Sequence, residues 1–179
     1  SAIDSVLEAT GRRTMGPEDI REVDVYVYRQ ALDLLAGVEA TTPHGAKFNL
    51  PFCVATALRY GRVGIGDFSA RRLVDPEIRR LMQKIRLHAD PELSRAYPSQ
   101  WPARVNIHTS DGRTLEGACD FPKGDPENPL TEEEVIAKFR DLTAGLISDF
   151  DADALAQGAL NLEDVPRVDQ LFDGLKLRN

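Results

Sequence analysis

The dipeptide Asp111-Gly112 constrains this chain more than any other local feature. Asp-Gly favours the positive φ values of tight turns between antiparallel strands. Strands are predicted on both sides of it, over Arg104 to Thr109 and Arg113 to Phe121. The reading is a β-hairpin. Two more segments carry the period of two that marks a strand with one buried face. Val23, Val25 and Val27 alternate with Asp24, Tyr26 and Tyr28, and Ile85 and Leu87 alternate with Arg86 and His88.

Helical spacing surrounds these strands. Ala2, Ile3, Val6 and Leu7 form one apolar stripe that Gly11 can end. Asn49 is a good N-cap, and Pro51 is tolerated in a first turn whose N–H groups lack intrahelical partners. Leu50, Cys53, Val54, Ala57 and Leu58 follow on helical spacing, and Gly61 stops the run. Asp75-Pro76 opens another helix that turns Ile78, Leu81 and Met82 inward. Thr131 and Glu134 have the spacing of a capping box, ahead of a stripe of Val135, Phe139, Leu142 and Leu146. Two short helices are predicted over Asp151 to Leu160 and Pro166 to Leu175. Residues 31 to 46, with Gly37, Pro43 and Gly45, read as mostly loop, as does the Pro-containing stretch before Trp101. Four strands, at least partly antiparallel, with several helices make an α+β fold: a small, mainly antiparallel sheet with packed helices.

Composition excludes several function classes. The chain has 179 residues, 42% of them apolar and 28% charged, with a formal net charge of -7. An acidic chain without a basic stripe argues against a nucleic-acid partner. No apolar run reaches membrane-spanning length, and the start has no signal-peptide pattern. Cys53 and Cys119, set among apolar residues, read as free thiols of a cytoplasmic protein. His44, His88 and His108 are too far apart in sequence to spell a metal site. Gly61, Gly64 and Gly66 follow a helix, which is the wrong context for a dinucleotide or triphosphate loop. Asp149, Asp151 and Asp153 lack the Gly and Glu of a calcium loop; Asp151 reads as a helix cap. Arg71-Arg72 and Arg79-Arg80 read as solvated helix faces, and His88 and His108 as facing solvent on strands. No metal and no cofactor is expected.

Three segments in order resemble the MmgE/PrpD family. Ala46-Lys47-Phe48-Asn49-Leu50-Pro51-Phe52, with Val54-Ala55, Ala57-Leu58 and Gly61, is similar to the family's Ala-Lys-Phe-Ser-Leu-Pro-Tyr segment and the helix after it. Asp75-Pro76, leading into Leu81 and a Lys-Ile strand, is the second. The third is Pro122-Lys123-Gly124-Asp125-Pro126 through Asn128-Pro129-Leu130-Thr131 to Lys138-Phe139. The resemblance covers nearly the whole chain. It implies the carboxy-terminal part of a cofactor-independent lyase or isomerase acting on a small di- or tricarboxylate, as 2-methylcitrate dehydratase and cis-aconitate decarboxylase do. It also implies an α+β lid over residues 17–131. Residues 1–16 and 132–179 would then be helices of a large helical domain lying mostly upstream, and the chain would be part of a longer polypeptide.

Two departures qualify the resemblance. The family's active-site His would fall just before Ser1-Ala2-Ile3-Asp4, and its active-site Tyr matches Phe52, which has no hydroxyl to donate. The substrate-binding candidates are Lys47, Phe52, His44 and Lys123. Lys47 would hold a carboxylate, helped by N–H groups at a helix start. His44 lies in a loop near the same helix start and suits acid–base work near neutral pH. Lys123 sits in a Gly/Pro loop that could contact an anion, and Phe52 would line the pocket. The expected partners are the carboxylate substrate, the upstream helical domain and a second copy in a homodimer. The rival reading is a non-catalytic α+β module that binds a metabolite or dimerises.

Overall fold

The computed structural model describes residues 1–177. The chain divides into two compact units, one over Ser1–Pro129 and one from Leu130 onward. The α+β expectation holds. In the first unit the elements run α1 (Ala2–Thr10), β1 (Ile20–Val27), α2 (Arg29–Leu35), α3 (Pro43–Lys47), α4 (Leu50–Tyr60), a 3₁₀ turn over Ile65–Phe68, α5 (Ala70–Leu73), α6 (Pro76–Met82), β2 (Ile85–Ala89), α7 (Pro91–Ala96), β3 (Ala103–Thr109) and β4 (Thr114–Cys119).

The four strands form one sheet in the order β2-β1-β3-β4. β1 runs parallel to β2 and antiparallel to β3, and β3 is antiparallel to β4. Val23, Val25, Val105 and Ile107 are fully buried on the inner face, together with Val6 of α1 and Phe52, Val54 and Leu58 of α4. The outer face carries the polar alternates of the same strands, so the period of two was a true guide to which side is inside.

The hairpin forms through a three-residue connection. Thr109 N–H donates to Arg113 O at 2.9 Å and Gly112 N–H to Thr109 O at 3.1 Å. Gly112 takes φ +88°, a conformation that a side chain would strain. β4 ends at Cys119 rather than Phe121, although one backbone hydrogen bond continues past it, from Trp101 N–H to Asp120 O at 3.1 Å.

α1 packs directly on this sheet. The Ser5 hydroxyl donates to Ala103 O at 3.1 Å. A Cβ on Gly117 of β4 would lie 2.0 Å from Ser5 O, so glycine is what lets the helix approach this closely.

The stretch read as loop over residues 31 to 46 contains two helices instead. α2 buries Ala31 and partly buries Leu32 and Leu35. In α3, Thr42 Oγ1 accepts from Gly45 N–H at 3.0 Å and Pro43 stands in the first turn. Here the proline starts a helix rather than breaking one. α7 arises the same way, with Asp90 accepting from Glu92 and Leu93 N–H groups ahead of Pro91. Two arginines read as solvated are in fact structural. Arg79 donates to Leu73 O and Ala40 O, both at 2.8 Å. Arg72 hydrogen-bonds the Tyr60 hydroxyl, which donates to Asp75 Oδ2 at 2.8 Å.

The second unit contains α8 (Glu132–Thr143), α9 (Asp149–Leu160) and 3₁₀ turns over Leu162–Asp164 and Val168–Phe172. The capping box is present: Glu134 N–H donates to Thr131 Oγ1 at 3.3 Å, and Thr131 N–H to Glu134 Oε2 at 2.8 Å. Ser148, not Asp151, caps α9, and accepts from Asp151 N–H at 3.0 Å. The helix expected over Pro166 to Leu175 is only 3₁₀ turn. Among the described residues no helix is long and apolar enough to cross a membrane.

Candidate functional site

Lys47 is the last residue of α3, and only Phe48 and Asn49 separate it from α4. Its chain lines a cleft of about 240 Å³ with Ile3 of α1, Tyr28, Leu35, Leu50, Trp101 and Pro122, residues that lie far apart in sequence. The ammonium lies over the Phe68 ring, 5.9 Å from its centroid. No carboxylate pairs with it among the described residues. Lys47 is exposed, and an unpaired cation beside an apolar cleft is a ready contact for an anion.

The helix start itself offers less than expected. Pro51 has no N–H, Phe52 N–H is taken by Asn49 Oδ1 at 2.7 Å, and Cys53 N–H by Asn49 O at 3.1 Å. Charge at this site therefore comes from the Lys47 side chain rather than from free amides.

The cleft wall opposite is aromatic. Tyr28 stacks on Tyr97 at 4.5 Å between centroids, and Trp101 meets both rings edge-on at 6.0 and 5.4 Å. Burial, with Tyr97 beside it, raises the Tyr28 hydroxyl above its ordinary pKa. Cys53 also reaches the cleft, but burial pushes its thiol up to about 11. It stays a neutral thiol near pH 7 and is a poor nucleophile.

The other candidates lie elsewhere. His44 is exposed one turn before Lys47 on α3, with its ring 5.1 Å from Phe48, and does not line the cleft. Lys123 borders a different hollow of about 510 Å³ with Asp4, Glu8 and Arg12, and its backbone N–H donates to Asp4 Oδ2 at 3.2 Å. Phe52 is 0% exposed and packs toward Phe68 at 6.0 Å. It does not line the Lys47 cleft.

One constellation was not legible beforehand. On the outer sheet face, Asp24 of β1 receives His88 Nε2 at 2.6 Å on one carboxylate oxygen and His108 Nε2 at 3.2 Å on the other. The histidines come from β2 and β3, paired with Tyr26 and Glu22, so each lies diagonal to Asp24. His88 also stacks on Tyr26 at 4.9 Å, and His108 Nδ1 lies 3.1 Å from Thr114 Oγ1. Both histidines do sit on the solvent face, but as partners rather than alone. Only strand order and register reveal this. Among the described residues no His, Cys, Asp and Glu cluster is arranged to hold a metal.

Known proteins match this chain over most of its length. It is 28% identical over 133 residues to a cis-aconitate decarboxylase-like protein, oryM, of Aspergillus oryzae, covering 73% of this chain and 27% of that protein. It is 22% identical over 122 residues to cis-aconitate decarboxylase of Mus musculus, covering 68% of this chain and 25% of the mouse protein. The Homo sapiens cis-aconitate decarboxylase is 23% identical over 133 residues, covering 74% and 27%. The chain thus spans about a quarter of the length of these curated relatives. The model of the MmgE/PrpD C-terminal domain matches residues 1–164, and with the three ordered motifs above it establishes that the chain belongs to the MmgE/PrpD family.

Proposed function

We propose that this chain is the carboxy-terminal, lid-bearing portion of a cofactor-independent lyase or isomerase acting on a small di- or tricarboxylate. The unpaired cation of Lys47, a residue that lines the cleft, carries the proposal. On this reading residues 17–131 form the lid, and residues 1–16 and 132–179 contribute helices to a helical domain supplied from upstream. Proton removal next to a carboxylate builds enolate-like charge, which a nearby cation stabilises. Lys47 holds the carboxylate, and the upstream part supplies the acid–base groups. The relatives' names put decarboxylation of cis-aconitate among the candidate reactions, and the family resemblance adds dehydration of 2-methylcitrate. A homodimer is the expected assembly.

The test is kinetic. The complete polypeptide encoded by the gene is assayed with cis-aconitate and 2-methylcitrate, alongside the 179-residue chain alone. A charge-assisted contact is worth about 1.5–3 kcal/mol. Lys47→Ala should therefore lower kcat/KM by roughly tenfold or more while leaving Tm unchanged. The isolated chain should not turn over substrate. Unchanged kinetics would remove Lys47 from the site, and full turnover by the isolated chain would overturn the two-part reading. The burial of Phe52, where relatives place Tyr, favours a second reading: a module that binds a carboxylate without chemistry. Binding to the complete polypeptide without turnover of any tested acid would support it.

A further inference from the structure

Lys47 stands at the end of an excursion of the chain that begins after Leu35. Leu35 and Lys47 both line the cleft, whereas none of residues 36–46 does. Within the excursion only Ala40 and Ala46 are buried. Two alanine methyls give little hydrophobic anchorage. α3, five residues long, is too short to be stable by itself. The excursion is therefore held mainly by polar ties.

Asn49 makes the tie nearest to α4. It is 8% exposed, and both ends of its carboxamide are used. Oδ1 accepts from Phe52 N–H at 2.7 Å, which starts α4, and Nδ2 donates to Val38 O at 2.6 Å. One side chain thus joins the start of the helix to the first limb of the excursion. Asn49 N–H donates to Ala46 O at 3.2 Å, so Lys47 lies inside the turn that Asn49 closes. Arg79 adds a second tie, to Ala40 O at 2.8 Å. The two limbs also touch: a Cβ on Gly45 would stand 2.5 Å from Glu39 O.

We infer that Asn49 is a positioning residue for Lys47. Its carboxamide latches the 36–46 excursion to the start of α4 and so fixes where Lys47 presents its cation. The inference rests on the carboxylate reading of Lys47 above. Capping and latching can be separated chemically. A serine hydroxyl in place of the carboxamide still accepts from Phe52 N–H, but has no second arm to reach Val38 O.

The experiment is calorimetric binding of tricarballylate, a saturated tricarboxylate with no hydroxyl to eliminate, to the complete polypeptide. Lys47→Ala should raise Kd about tenfold. Asn49→Ser should raise it by roughly threefold to tenfold, and the double variant should stay within about twofold of Lys47→Ala, because a latch that acts through Lys47 has nothing left to position. Tm is recorded for each variant. Gly45→Ala disturbs the same excursion from the Glu39 side and leaves the α4 cap alone. It should give the same pattern in both backgrounds, and it decides the matter if Asn49→Ser does not fold. A folded latch variant that binds like the unmodified protein, or whose loss multiplies with that of Lys47→Ala, overturns the inference and leaves the carboxylate reading standing. No effect of Lys47→Ala, or no binding at all, overturns the carboxylate reading and the inference with it.

Discussion

The unit over Ser1–Pro129 and the unit from Leu130 onward start their helices equally well but bury them very differently. α4, capped by Asn49, buries eight residues from Leu50 to Leu58. α8, capped by a complete Thr131–Glu134 box, buries none. Its stripe faces an apolar hollow of about 310 Å³ lined by Val135, Phe139, Leu155 and Phe172, and Phe150 of α9 stands 82% exposed. A cap and an apolar stripe specify where a helix begins and which side is greasy. Burial needs a second surface of matching shape. The first unit has one in its sheet, whereas among the described residues the second has only one neighbouring helix, α9, and 3₁₀ turns.

The largest expected effect tests whether the first unit holds the main core. Phe52→Ala should destabilise the chain by about 3–5 kcal/mol in urea unfolding. A loss below about 1 kcal/mol would mean that the core around Phe52 relaxes freely and that the contrast between the units is overdrawn. Next is Gly117→Ala, whose new methyl meets Ser5 O. It should cost about 1–3 kcal/mol by forcing α1 off the sheet. A neutral result would show that α1 is loosely held.

A smaller effect concerns the Tyr60–Asp75–Arg72 corner that ties α4 to α6. Burial acts to raise the Asp75 pKa, but the Tyr60 hydroxyl, the Glu77 and Ile78 N–H groups and Arg72 outweigh it, and the pKa falls below the ordinary carboxylate value. A pKa lowered by folding stabilises the protein above the unfolded value, near pH 4, and that stabilisation disappears as pH falls through the folded value. Asp75→Asn, which can still cap α6, should lower Tm at pH 7 and narrow the gap to wild type below pH 4. A pH-independent gap would assign the loss to packing. The smallest effect is expected at Phe150. Phe150→Ala should stay within about 0.5 kcal/mol, as exposed substitutions do. A larger loss would show that this face is covered in solution and would bring the second unit closer to the first.

Much of the fold was legible because its cues are local. The alternation around Asp24 and His88, the Asp111-Gly112 turn and the caps at Asn49, Asp75 and Thr131 all act within a few residues. Two of the misses share one cause. At Pro43 and Pro91, prolines weighed as loop markers stand in the first turns of α3 and α7, where a missing N–H costs nothing. The site was harder. Lys47 came from a motif, but its cleft draws on Ile3, Tyr28, Leu50, Trp101 and Pro122, whose separations in sequence carry no sign of contact.

The amino-acid order alone thus determined the α+β class, the strand faces, most helix starts and the family, because each depends on short-range patterns or on motifs in series. Tertiary structure decided the rest. It set β2 parallel to β1 and β3 antiparallel on its other side, and this brought His88 and His108 onto Asp24. It sealed Phe52 in the core and left Lys47 at the mouth of an apolar cleft. Neighbours across a sheet or a cleft come from strand register and packing of distant segments, and a side chain's charge environment follows from those neighbours rather than from the residues beside it in the chain.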